Sequence, residues 1–355
     1  MKIIEKHLHL NVPNVPDGAL FLDIETTGLK AETTHMYLFG CISREPEGTW
    51  LFKQWFLDGP LEERAALNDI CNYITNFKIL IHYNGDRFDL PYLDYHTKER
   101  GIDSPFLTMP SLDIYRHVRP LKKLFHMEAA HQKNFERLIG NYREDKYGGG
   151  ELIEVYHSYQ INNSEKLLHF LLLHNEEDVI GMTGLMQLLD YDVFFDKNSS
   201  LITSAPMVKD RSDAELLLSF PLQNTYKYGA IHFLDDIYLS LRDDRLNLKL
   251  PVFTGEMKYF YPHARDYYYL PAEDRAIHKS LASYVDPAFR QKATAANCYV
   301  KKSGSFIPLL SAGSVPVFKK EYGKDAFAMI DDDMLSDTAF WDEYVHYLFQ
   351  KIKKG

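Results

Sequence analysis

The chain has 355 residues, of which 45% are apolar and 25% charged, enough for about two domains of ~150 residues each with sizeable cores. No stretch approaches the ~20 apolar residues of a membrane span, and the first residues lack the long apolar segment and cleavage site of a signal peptide. A net charge of −10 argues against a protein that coats nucleic acid nonspecifically, so contact with a polyanion would need a local basic patch or metal ions.

The three cysteines, Cys41, Cys71 and Cys298, are far apart in sequence and form no CxxC pair. They read as reduced thiols of a cytoplasmic protein rather than a disulfide set or a zinc site.

In chain order, residues 20–26 read as a buried strand ending at the turn signal Thr27–Gly28. Within it, FLDIE places Asp23 and Glu25 two apart, so both project from one face. Two like charges held that close repel, and removing them from water costs more. Residues 36–44 and 49–57 read as two further strands joined by EPEG, and 60–77 as a helix. A strand at 78–83, a helix at 88–100, a strand at 106–112 and a helix from Asp113 follow. Residues 164–191 form one long helix.

A three-strand meander followed by β-α-β alternation implies a mixed sheet with helices on its faces. Beyond Phe195 the character changes to short alternating strands. Hairpins are expected in IYLSLRDDRLNLKL, with Leu239 and Leu241 opposite Leu246 and Leu248, and in ANCYVKKSGSFIPLL, turning at Ser303–Gly304. An amphipathic helix at 337–354, acidic at its start and basic at its end, closes the chain. With a linker near 196–206, the expected domains are 1–195 and an accessory α+β domain at 196–355, whose role the sequence does not reveal.

Two more acidic positions join the first pair. In HYNGDRFDLPYL, Asp89 opens a helix, where a plain N-cap is the ordinary explanation. In LLLHNEEDVIGM, His174 and Asp178 are four apart and share a helix face, usually as a hydrogen-bonded structural pair. Glu176 and Glu177 point elsewhere and read as a solvated acidic surface.

Taken together, DIETTG, NGDRFD and H-N-x-x-D-V, in that order, resemble the three motifs of the DEDD exonuclease superfamily, which has the ribonuclease H-like fold. The stretch NFERLIGNYREDKYGGGELIEVYHSYQ further resembles a group of predicted bacterial ribonuclease H-like exonucleases, and the resemblance covers about residues 18–190. It departs in one place: His174 stands four residues before Asp178, where the superfamily usually has Tyr, or else a His five residues before.

The resemblance implies a 3′–5′ exonuclease acting on a single-stranded DNA or RNA end. It also implies that Asp23 bridges two cations, that Glu25 and Asp178 complete one coordination sphere and Asp89 the other, and that His174 receives or orients a proton. The chemistry accounts for the clustering. Two divalent cations ~3.5–4 Å apart serve both ends of a phosphodiester displacement. Hard ions such as Mg²⁺ or Mn²⁺ prefer carboxylate oxygens and water. An endonuclease of the same fold and a catalytically silent adaptor are the alternatives, and retention of all four carboxylates argues against the silent one.

Lesser candidates each have a plain structural counterpart. Asp113 reads as a helix N-cap rather than a catalytic group. Arg116, His117, Arg119, Lys122 and Lys123 suit phosphate contacts or a solvated basic face. Gly148 to Gly150 suit close backbone approach or a plain turn. KYFYPHARDYYYL, with Lys258, His263 and Arg265 among six aromatic residues, suits stacked bases or half-buried aromatic strands.

Overall fold

The computed structural model describes residues 1–145, 148–310 and 315–354. The chain divides into two compact units, residues 1–122 with 126–192, and residues 123–125 with 193–355.

The first unit is built on six strands, β1 (Lys2–Leu8), β2 (Ala19–Thr26), β3 (Met36–Arg44), β4 (Trp50–Phe56), β5 (Ile79–His82) and β6 (Ser111–Asp113), in the order β1-β4-β3-β2-β5-β6. Strands β1 to β4 pair antiparallel, and β5 and β6 extend the sheet in parallel beyond β2. The sheet is mixed, as the alternation predicted. Strand β1 was not anticipated; its charged residues KIIEKHL mask the alternation, and only pairing with β4 holds it in the sheet.

The helices are α1 (Glu63–Ile74), α2 (Asp89–Glu99), α3 (Ile114–Val118), α4 (Leu121–Leu124), α5 (Gln132–Leu138), α6 (Gly149–Asn162) and α7 (Glu165–Gly184). Strand parity sorts the core into two layers. Leu20, Leu22 and Ile24 face a cluster with Ala66, Leu67, Ile70 and Ile74 of α1 and Leu90 and Leu93 of α2. The opposite face puts Tyr37, Leu38 and Phe56 against Leu152 and Tyr156 of α6 and Leu168 and Leu171 of α7. The odd-numbered residues of β2, Asp23 and Glu25 among them, therefore turn away from α1 and α2.

The strand expected at 106–112 is extended only at β6, because the amides of Thr108 and Met109 turn back onto the Pro105 carbonyl and Pro110 has no amide to give a ladder. The long helix stops at Gly184 and continues as 3-10 turns.

The second unit holds β7 (Met207–Arg211), β8 (Glu215–Leu234), β9 (Ile237–Pro251), β10 (Phe253–Phe260), β11 (Tyr267–Leu270), β12 (Arg275–His278), β13 (Gln291–Lys292), β14 (Tyr299–Pro308), β15 (Phe318–Lys319) and β16 (Phe327–Met329). Two short helices, α8 (Lys279–Ala282) and α9 (Asp332–Ser336), and the 17-residue α10 (Thr338–Lys354) also belong to it. Strands β10, β14, β16 and β15 close into a barrel, and β7-β8-β9 and β12-β11-β13 form two smaller sheets.

Neither expected hairpin forms. IYLSLRDDRLNLKL lies within β9, where Leu239, Leu241, Leu246 and Leu248 pair with His232, Ala230, Phe220 and Leu218 of β8. The polar DDR segment, with Asp243 at φ 52°, stays in β9 opposite bulges that put the extra residues on β8, and the real two-residue turn is Asp235–Asp236. Ser303–Gly304 sits inside β14, opposite Glu256 and Gly255 of β10. A polar or glycine interruption in an alternating run marked a bulge or close approach, not a turn.

Candidate metal centre

The site begins with one row of the sheet. Asp23 of β2, Gly40 of β3 and Gln54 of β4 lie side by side in register. Gly40 has no side chain, and the fully buried carboxamide of Asn175 on α7 lies over it. A Cβ on Gly40 would come within 1.9 Å of Asn175 Oδ1. Gln54 Nε2 donates to Asn175 Oδ1 at 2.9 Å and to the Leu172 carbonyl at 3.0 Å. Asn175 Nδ2 then donates to Asp23 Oδ2 at 2.9 Å. The chain of bonds fixes the Asp23 carboxylate.

Gly40→Ala should therefore push Asn175 out of place. Overpacking of this kind costs typically ~1–3 kcal/mol, and loss of an orienting partner costs ~10–100-fold in metal affinity. Urea unfolding and Mn²⁺ titration check both; a Gly40→Ala protein with wild-type values would contradict this account of the row.

From α7, His174 and Asp178 face the same place one helical turn apart. His174 Nε2 lies 3.1 Å from Asp178 Oδ2 and 3.5 Å from Glu25 Oε1. The ligand atoms of Glu25, His174 and Asp178 fall within 4.8 Å of one another. Nδ1 of the same ring meets Asp145 Oδ2 at 2.7 Å, so both nitrogens face carboxylates.

Asp89 is the first residue of α2, not its N-cap, which is Phe88. Burial pushes the Asp89 carboxyl up to about 7, with Asp113 and Asp178 adding to the rise and the backbone amides of Asp89 and Ile24 opposing it. Burial also raises Asp23 and Glu25 well above the carboxylate range. Asp178 and Asp89 are the next largest contributors for each. The five residues singled out in the sequence thus act on one another electrostatically or by contact.

Several participants were not singled out. Arg143 forks onto buried Glu136, with Nη2 at 2.6 Å from Oε1, and its Nη1 lies 2.6 Å from Asp178 Oδ1. Gln132 Nε2 donates to Glu136 Oε1 at 2.8 Å and to the Asp178 carbonyl at 2.7 Å. Gly181 lets Glu136 approach α7, since a Cβ there would fall 2.1 Å from Oε1. Lys133 pairs with Asp145 at 2.9 Å. Residues 132–145 are far from the motifs in sequence, and the stretch NFERLIGNYREDKYGGGELIEVYHSYQ entered only as part of the family resemblance.

The acidic pair beside Asp178 is not simply solvated. Glu176 pairs with Lys6, at 2.7 Å from Oε1, and Glu177 accepts from the backbone amides of Glu144 and Asp145 at 2.8 and 2.9 Å. Glu177 thereby holds the segment that carries Asp145 against α7.

The lesser candidates resolve mostly as structure. Asp113 caps α3, accepting from Tyr115 N at 3.0 Å and also from Asn84 N at 2.7 Å. Arg116 pairs with Asp86 at 2.7 Å and His117 with Asp192 at 2.8 Å. Gly148 is the N-cap of α6, its amide bonded to Glu151 at 2.8 Å. In the second unit Tyr261 and Tyr267 stack at 4.6 Å and Tyr269 donates to Asp274 at 2.6 Å, the packing of half-buried aromatic strands. No helix among the described residues is long and apolar enough to cross a membrane.

The donor set suits hard divalent cations, being carboxylate oxygen and imidazole nitrogen with no thiolate. A mixed sheet flanked by helices, with acidic residues gathered on its first long strand and a facing helix, defines a ribonuclease H-like fold. Residues 20–190 match the RNase_H superfamily.

Among solved structures the chain is similar to the family B DNA polymerase of the hyperthermophilic archaeon Pyrobaculum calidifontis, at 12% identity and a TM-score of 0.38 over 68% of this chain and 33% of that one. It is also similar to the zinc-bound E. coli ExoI–ssDNA complex, at 12% identity and a TM-score of 0.30 over 58% of this chain and 54% of that one. The chain thus spans about a third and about half of their lengths. No curated protein matches it.

Proposed function

We propose that this chain is a metal-dependent nuclease of the DEDD type, a 3′–5′ exonuclease on single-stranded ends, with Asp23, Glu25, Asp89 and Asp178 as cation ligands. The observation that carries the reading is the gathering of Glu25, His174 and Asp178 within 4.8 Å of one another, with the carboxyls of Asp23 and Asp89 raised by their surroundings. Such a cluster costs the fold stability unless positive charge offsets it.

Two Mg²⁺ or Mn²⁺ ions held there would supply charge stabilisation to the attacking and leaving oxygens of phosphodiester hydrolysis. The residues of the chain do the rest. Asn175 orients Asp23, Arg143 orients Asp178, and His174, braced by Asp145, takes or directs the proton of the attacking water. His174 also lies among the candidate ligand atoms, so its role divides between base and ligand.

A silent nucleic-acid-binding protein is the second reading. One observation favours it: both Asp178 oxygens already meet cationic or ring nitrogen partners, Arg143 and His174. Incubation with 5′-labelled single-stranded DNA and RNA plus Mn²⁺ separates the two. A ladder of shortened 5′-labelled products is expected from the exonuclease. Cleavage of a circular strand would assign an endonuclease, and intact substrate bound by the protein would assign the silent reading.

A further inference from the structure

Helix α5 and the segment after it enclose a cavity of about 110 Å³, lined by Lys133, Arg137, Asn141, Tyr142, Arg143 and Asp145. The lining holds three cations and one carboxylate, and Arg143 also meets Glu136 and Asp178 from behind the wall. Two of these walls also belong to the acidic site: Asp145 holds His174 Nδ1, and Arg143 reaches Asp178.

The cations differ in what they already hold. Lys133 is paired with Asp145. Arg143 is anchored on Glu136, and its Nη1 lies 2.6 Å from Asp178 Oδ1. Arg137 is exposed and makes no ion pair among the described residues. Asn141 and Tyr142 add neutral donors. At ~30 Å³ per water in the liquid, the cavity accepts a group of a few heavy atoms and not a nucleoside.

We propose that this cavity is a phosphate-binding pocket, which grips a phosphate group of the nucleic-acid strand beside the one being cleaved. The proposal rests on the nuclease reading and names how that same site holds its substrate. An arginine fork with a lysine ammonium is the donor set that matches a tetrahedral oxyanion. The position also answers the charge problem raised by the sequence. An acidic site repels a polyanion, and a cationic pocket sharing its wall holds the strand in place locally.

Arg137→Gln tests this, because the residue is exposed and outside the carboxylate network. Binding of a labelled single-stranded oligonucleotide is measured from 50 to 300 mM KCl in the Asp23→Asn protein, which prevents cleavage, with and without Arg137→Gln. The expected result is weaker binding of all sequences alike, with the log K against log salt slope shallower by about 0.7, one phosphate contact on a single strand. Arg137→Lys should keep the wild-type slope and Arg137→Glu should weaken binding further.

Oligonucleotides with and without a terminal phosphate distinguish the source. An effect confined to the phosphorylated strand assigns the pocket to an end phosphate, and an equal effect assigns it to the backbone. An unchanged affinity and slope in Arg137→Gln, or a slope that follows Tm instead of charge, overturns the pocket while leaving the nuclease reading intact. Absence of any oligonucleotide binding by Asp23→Asn, with cleavage absent in the wild type, overturns both.

Discussion

Asp178→Asn should lower kcat/KM by at least ~10³-fold while leaving the protein folded. Cations in a site of this kind supply several kcal/mol of transition-state stabilisation, and each ~1.4 kcal/mol lost is tenfold in rate. The fold should survive because the substitution removes one charge from a set that repels itself. Asp178 raises both Asp23 and Glu25, so neutralising it relieves them. One cost runs the other way. Arg143 loses a charged partner but keeps Glu136, so the buried guanidinium is not stranded.

Asp23→Asn should behave likewise, with Asn175 free to donate to the new amide oxygen. His174→Ala provides the contrast. As a general base it should cost ~10²–10⁴-fold in kcat with Mn²⁺ affinity kept; as a ligand it should lose affinity in step with activity. Steady-state kinetics beside calorimetric Mn²⁺ titration read both. Wild-type turnover by purified Asp178→Asn or Asp23→Asn would end the metal-ligand assignment.

The sheet and the acidic residues were legible for the same reason. Strand periodicity put Asp23 and Glu25 on one face, and helical periodicity put His174 beside Asp178, so local rules alone named both pairs. What sequence spacing does not carry is which residue lies across the fold. Gly40 is meaningful only because Asp23 and Gln54 flank it in register and Asn175 descends on it from α7. Arg143 and Asp145 are meaningful only because Glu177 pulls their loop onto the helix. The second unit was misread at its turns for a related reason. Asp243 at positive φ looks like a hairpin residue in isolation, but the twenty-residue partner β8 keeps β9 extended through it.

In EDTA, the protein should become less stable as pH rises from about 4 to 7, and Mn²⁺ should reverse the trend. The sign follows from linkage. Asp89 has an ordinary value of 3.8 and stands at about 7 in the fold, and Asp23 and Glu25 are also raised. Between those values the folded state binds more protons than the unfolded one, so stability falls with rising pH. About three pH units on Asp89 correspond to roughly 4 kcal/mol between the two ends of the window. Aspartate at 89 therefore costs stability above pH 7, and below pH 4 the cost is absent.

Bound cations need the deprotonated carboxylates, so apparent affinity rises with pH. At ~100 times Kd, binding adds roughly 2.7 kcal/mol. The Tm difference between Mn²⁺ and EDTA should thus widen from pH 5 to pH 8. Asp89→Asn isolates the contribution from other titrating groups: without the carboxyl, the EDTA curve should flatten and the Mn²⁺ shift should shrink. Melting curves at three pH values in both conditions, for wild type and Asp89→Asn, carry the test. An Mn²⁺ shift that is absent, or equal at pH 5 and pH 8, would mean that these acids are neutral structural groups and that the cluster holds protons in place of metal.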